Sequence, residues 1–211
     1  LRMAAPMHDV GKIAVSDAIL HKPGKLTDAE FTEMQKHAAI GAEILSQSER
    51  PIFKAAAIVA AQHHERWDGK GYPAGLSGRA IHPFGRIVAI VDVFDALTSD
   101  RCYRPAMPLE KALAILHEGR GTQFDPELLD LFLAHLGDFI ALAQNLNDGG
   151  AAVATAAPAE GAVNPAAIEE PAVERTAAFF ARAVNMVVVP SLVVFFGLRR
   201  RVRRRRRRRR R

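Results

Sequence analysis

The 211-residue chain contains one cysteine, Cys102. That excludes an intrachain disulfide framework and argues against a structural zinc site built from thiolates. It also suits a reducing compartment. Aromatic residues are scarce at 7%, with one tryptophan, while apolar residues reach 49%. That apolar share is enough to bury a core. No stretch alternates apolar and polar residues as a half-buried strand would, and there are no internal repeats. Positive charge is missing from the body of the chain. The formal net charge of +6 includes twelve arginines within residues 199–211, so everything before them carries −6. A basic face on the folded part is not supported, and nucleic acid is not an expected partner. No signal peptide opens the chain. It starts LRMAAPMHD, which reads as the interior of a longer protein.

What is present is helical. TDAEFTEMQKHAAIGAEIL opens on a capping box, Thr27 with Glu30 three residues later. Phe31, Met34, Ala38, Gly41 and Ile44/Leu45 then recur at helical spacing. RPIFKAAAIVAAQHH reads as a buried helix ending at a histidine pair. Residues 66–83 hold Gly69, Gly71, Pro73, Gly75, Gly78 and Pro83. They form a long loop, and such a loop in a compact domain is usually functional. FGRIVAIVDVFDALTS, PLEKALAILHEG and DPELLDLFLAHLGDFIAL are helical again. The fold class is all-α.

Two carboxylates and four of the eight histidines stand in patterned positions. Asp92 interrupts the apolar run IVAIVDVFDAL. An unpaired carboxylate there would cost several kcal/mol, so it needs a partner: a metal ion, a salt bridge or a helix cap. His37 lies on or beside the apolar stripe of its helix. Taken alone, it or His8 would be an ordinary hydrogen-bonded core histidine. Together, His8, Asp9, His37, His63, His64 and Asp92 form six potential ligands, all expected on helices with inward faces. A helical bundle can project such a set into one cavity. Imidazole and carboxylate without thiolate suit iron, manganese or zinc. Six ligands exceed one tetrahedral ion with an open position, so two metals are the natural reading. Asp9 could bridge them with its two oxygens. Adjacent residues on a helix point about 100° apart, so His63 and His64 are expected to ligate different metals. Glu65 reads as a hydrogen-bonding neighbour of the site rather than a catalytic base, and Asp95 likewise. Trp67 reads as packing. His21, His82, His117 and His135 read as surface or helix-end residues.

HDVGKIAVSDAILHKPGKL, MQKHAAIGAEIL, HHERWDGKGYPAGLSG, RIVAIVDVFDALTSDRCYR and GTQFDPELL resemble, in order and spacing, the HD-GYP domain of bacterial signalling phosphodiesterases. The resemblance runs from residue 1 to about 135. It implies an HD-domain-like helical bundle with a long GYP loop, followed here by a low-complexity C-terminal tail. It implies metal-dependent hydrolysis of cyclic di-GMP to linear pGpG, and on to GMP in some members. Position by position, His8, Asp9, His37, His63, His64 and Asp92 match the family's metal ligands. Two or three divalent ions, iron or manganese, are implied. Asp9 and Lys12 match catalytic positions, and Lys12, Tyr72, Arg101 and Arg104 match substrate-binding ones. Arg104 and Cys102 stand where the family usually has lysine and proline. Arginine keeps the charge but not the geometry, which predicts a slightly altered phosphate contact.

The family also has an upstream helix that contributes a further histidine and, in trinuclear members, a glutamate. The chain begins only seven residues before His8, so an N-terminally truncated fragment is expected. An upstream receiver or sensor domain would belong to the missing part. The expected layout is an HD-GYP domain over 1–143 and an Ala/Pro-rich linker over 144–176. An apolar segment (177–198) and a poly-arginine tail (199–211) follow. The tail reads best as a disordered or out-of-frame extension. The alternative is contact with an anionic membrane surface, which would make a cytoplasmic protein peripheral at the inner membrane. The alternative function is a non-catalytic module that binds diguanylate cyclase (GGDEF) domains through the GYP loop. A general HD-superfamily nucleotide phosphohydrolase ranks third.

Overall fold

The computed structural model describes residues 1–99 and 105–138. Within them the regular elements are helices, with no strand and only an isolated bridge between Arg120 and Phe124. Short 3-10 turns occupy Ala5–Met7, Val10–Ala14 and Gly78–Ala80. The α-helices are α1 (Asp17–Leu20), α2 (Asp28–Ser46), α3 (Pro51–Gln62), α4 (Pro83–Thr98), α5 (Leu109–Glu118) and α6 (Pro126–Ala134).

Local chemistry sets the helix starts. The capping box forms as expected. Thr27 Oγ1 accepts from the Glu30 N–H at 3.3 Å, and Glu30 Oε2 accepts from the Thr27 N–H at 2.7 Å. Helices α3, α4 and α6 each carry proline in the first turn, where its missing N–H costs nothing. His82 caps α4, its Nδ1 accepting from the Phe84 N–H at 3.1 Å. Asp125 caps α6, accepting from the N–H groups of Glu127 and Leu128 at 2.9 and 3.2 Å. The four histidines set apart from the site all lie at helix ends: His21, His82 and His135 as caps and His117 in the last turn of α5.

Helix α4 is the apolar axis. Ile87, Val88, Ile90, Val91 and Phe94 are buried against Val59 of α3, Leu116 of α5, and Phe124, Leu128, Leu129 and Phe132 at and within α6. Each such side chain contributes roughly 1.5–3 kcal/mol of burial. A second cluster joins Leu45 of α2 to Ala56 and Ala60 of α3. Small residues bring these two helices close: a Cβ on Gly41 would lie 3.4 Å from the Ala60 Cβ. This approach carries His37 toward His63. The stripe on α2 is narrower than its spacing suggests. Ala38, Gly41 and Leu45 are buried, but Phe31 and Ile44 are 47% and 44% exposed. Alanines and glycine already fill the close α2–α3 contact, leaving no depth for larger side chains at its margins.

Among the described residues, no helix is long and apolar enough to cross a membrane. Arg101, Cys102 and Arg104, the boundary at 143, the linker, the apolar segment and the poly-arginine tail lie outside the described residues.

Candidate metal centre

The six expected ligands do not all sit on helices. Only His37 and Asp92 lie inside α-helices. His8 closes one 3-10 turn and Asp9 opens the next. His63 is the C-cap of α3, with φ −68° and ψ −14°, and His64 lies in the turn beyond it. The 100° rule therefore does not govern the doublet. Because the helix stops at Gln62, both rings turn to the same side, with centroids 3.9 Å apart. Asp9, His37, His63 and His64 each place one donor atom within 4.8 Å of the others. The doublet thus stands in one donor group with Asp9 and His37.

Backbone carbonyls orient three of the imidazoles. Nδ1 of His8 donates to Ala5 O at 2.8 Å, and that of His37 to Met34 O at 2.6 Å. Nδ1 of His63 is shared between Val59 O and Ala60 O, both at 3.0 Å. A carbonyl only accepts, so Nδ1 carries the proton and the neutral ring presents a bare Nε2. The Nε2 atoms of His37 and His63 lie 3.5 Å apart.

Asp9 stands between them. Its Oδ1 faces His37 Nε2 at 3.4 Å and His63 Nε2 at 3.8 Å. Its Oδ2 faces His8 Nε2 at 3.4 Å and accepts from Lys12 Nζ at 2.5 Å. His8 Nε2 also lies 3.7 Å from Asp92 Oδ1. Asp9 Oδ1 is buried and has no hydrogen-bond partner. A buried carboxylate oxygen without a donor is unfavourable, and bare imidazole nitrogens supply none. A cation resolves the conflict, so the residues fit a divalent metal ion.

The electrostatics agree. Burial opposes ionisation of Asp9, but His8 and Lys12 outweigh it and hold the carboxyl far below the usual range. Burial likewise opposes charge on His8, but Asp9 and Asp92 raise its pKa. Burial keeps His37 and His63 neutral and lowers His64 to about 3. Neutral imidazole is the form that binds metal.

The GYP loop closes over this group. Tyr72 stacks on His64 with ring centroids 4.7 Å apart and meets Phe31 edge-on at 6.2 Å. Burial, with Asp9 and Asp92, pushes its phenol up, so the hydroxyl stays a donor. The peptide bond between Tyr72 and Pro73 is cis. Gly71 is obligatory, because a Cβ there would lie 2.4 Å from Arg66 N and 2.6 Å from His64 O.

Two features tie the GYP loop to the rest of the fold. Glu65, expected as a hydrogen-bonding neighbour, accepts from two backbone N–H groups of the loop. Arg86 donates to Asp125 Oδ2 at 2.7 Å and lies over the Trp67 ring at 5.9 Å. Main-chain bonds from Trp67 N to Gln123 O and from Asp68 N to Thr122 O brace the same loop. Asp before Pro126 carried an N-cap signal. Arg86 carried none.

Comparison with known proteins decides the family: the HD domain matches residues 1–128. The chain belongs to the HD-domain family. Its HD, HHE and GYP motifs place it in the HD-GYP branch. It is 48% identical over 153 residues to a cyclic di-GMP phosphodiesterase of Vibrio cholerae, covering 70% of this chain and 31% of that protein. It is 51% identical over 133 residues to a cyclic di-GMP phosphodiesterase response regulator of Xanthomonas campestris, covering 63% and 35%. It is 47% identical over 148 residues to 3'3'-cGAMP-specific phosphodiesterase 2 of Vibrio cholerae, covering 70% and 28%. This HD-GYP chain spans about a third of the length of these relatives.

Proposed function

We propose that the chain is the catalytic part of a cyclic di-GMP phosphodiesterase that holds two divalent ions, iron or manganese. The observation that carries this is the two-sided environment of Asp9. One oxygen faces His37 and His63, and the other faces His8 and Lys12, as suits a bridging carboxylate. Asp9, His37, His63 and His64 form one donor group, and His8 faces the other oxygen of Asp9 and Asp92. Two ions would then be held by His37, His63 and His64 on one side of Asp9 and by His8 and Asp92 on the other.

When bound, the ions supply Lewis acidity that offsets phosphodiester charge and acidifies water. The remaining work falls to the chain. Lys12 is partly exposed beside Asp9 and places an ammonium where a phosphate oxygen gains charge. Arg101 and Arg104 add cationic contacts to the substrate. Tyr72 offers a protonated phenol and an aromatic edge to a guanine nucleotide. The partner of the site is thus a cyclic dinucleotide.

The test is turnover. The protein loaded with manganese or iron should convert cyclic di-GMP to pGpG, read by chromatography. 3'3'-cGAMP belongs in the same assay, because one relative is named for it. Preference for it would move the substrate assignment to that nucleotide. No product from either, with any metal, would refute the reading.

A further inference from the structure

Three of the four clustered imidazoles and carboxylates have an obvious reason to hold still. His37 and His63 are locked by Nδ1 bonds to backbone carbonyls, and Asp9 by Lys12. His64 has no such bond among the described residues. Its ring is held by ring contacts instead: the stack on Tyr72, and edges or tilts against His63 and His37. What fixes Tyr72 therefore fixes His64.

Tyr72 is fixed by a row of alternate backbone donors. The Tyr72 N–H donates to His64 O at 3.2 Å. The Ala74 N–H donates to Glu65 Oε1 at 2.7 Å, and the Leu76 N–H to Glu65 Oε2 at 2.9 Å. Pro73 between the first two has no N–H, and Gly75 between the last two takes φ +67°. The loop thus returns onto its own root at residues 64 and 65. Glu65 is 3% exposed, and among the described residues no cation pairs with it. A buried carboxylate is costly unless hydrogen-bonded, and here each oxygen takes one loop N–H.

We infer that Glu65 is a positioning residue. Both its oxygens, acting as a pair, clamp the GYP loop so that Tyr72 orients the His64 imidazole toward the metal group. Glu65 does through the loop what a backbone carbonyl does directly for His37 and His63. The inference rests on His64 as a metal ligand, not on the identity of the substrate.

The experiment is calorimetric titration of the apo protein with Mn(II) alone. Wild type, Glu65→Gln, Tyr72→Ala and the double variant are compared. Glutamine keeps the shape but puts an amide NH₂ against one loop N–H, so the clamp loses one arm. Partners that orient a metal ligand are worth roughly 10- to 100-fold in affinity, and that loss is expected for each single variant. Because both act on one stack, the double variant should bind no more weakly than the worse single. Trp67 is the chain's one tryptophan and sits in this loop, so acrylamide quenching of its emission should rise in Glu65→Gln before any metal is added. Mn(II) binding by Glu65→Gln equal to wild type, or losses that simply multiply in the double variant, would overturn the inference. If Glu65→Gln fails to fold, Tyr72→Ala leaves the clamp intact and must still weaken binding; unchanged affinity there overturns it as well. Failure of the wild type to take up Mn(II) would refute the metal reading itself, and is seen separately from the ratios.

Discussion

Replacing Gly11 by alanine should cripple both the fold and the metal group. Gly11 lies in the 3-10 turn that follows Asp9 and packs on α2. An added Cβ would sit 2.0 Å from His37 O, 2.5 Å from Gly41 N and 2.9 Å from His37 C. All three are backbone atoms, so no rotamer change can clear them. Non-bonded heavy atoms settle near 3.5 Å, so the turn must lift from α2 by roughly 1 Å or more. Overpacking of this kind typically costs about 1–3 kcal/mol, and an all-backbone clash belongs at the top of that range. For a domain of this size, about 3 kcal/mol lowers Tm by roughly 10 °C. The same lift separates Asp9 from His37 and His63, now 3.4 and 3.8 Å away, and should weaken Mn(II) binding at least ~10-fold. Calorimetric melting of the apo protein and Mn(II) titration measure the two effects. Gly24→Ala is the control, since nothing lies within 4 Å of its Cβ and its φ is not positive. A Gly11→Ala protein that melts with wild type and binds metal normally would refute the close-approach argument.

Other consequences follow from the same geometry. Asp125→Ala should lose about 3–5 kcal/mol in urea denaturation, because it strands the Arg86 guanidinium in a buried site and uncaps α6. Adding Arg86→Met should recover part of that loss. Asp9→Ala should abolish high-affinity metal uptake, read by metal analysis after dialysis, while the apo fold survives. The apo protein should lose stability as pH falls below about 6.5. His37, His63 and His64 have folded pKa values below their unfolded ones, so the unfolded chain binds protons first. With His64 lowered to about 3, that residue alone accounts for about 2 kcal/mol lost by pH 5. His82 is lowered too, by burial and then by Arg86, while His8 has a raised pKa and opposes the trend, one histidine against four. Apo melting temperatures that are flat from pH 7 to 5 would contradict this sum.

The legible features are those that neighbours in sequence decide. Thr27 and Glu30 cap α2 because they are three residues apart, and Pro51, Pro83 and Pro126 open helices because of their own missing N–H. The loop after His64 was readable from its glycines and prolines. Exposure of Phe31 and Ile44 was not, because spacing names a helix face but not the depth of what packs on it. The pairing of Arg86 with Asp125, 39 residues away, left no trace in either motif. Nor did the grip of Glu65 on Ala74 and Leu76, which exists only once the loop folds back.

By itself the sequence determined the chemical inventory: histidines and carboxylates without thiolates, an all-α framework, and a Gly/Pro loop beside a histidine doublet. These depend on residue identity and short-range sterics, which no packing can alter. Only the tertiary structure decided how the inventory is aimed. It ended α3 at Gln62 so that His63 and His64 could face one group, and it set the two oxygens of Asp9 toward different histidines. The reason is that direction in space depends on where helices stop and how closely they approach. Here that rests on the bare Cα atoms of Gly11 and Gly41, which bring the Asp9 turn against α2 and α2 against α3.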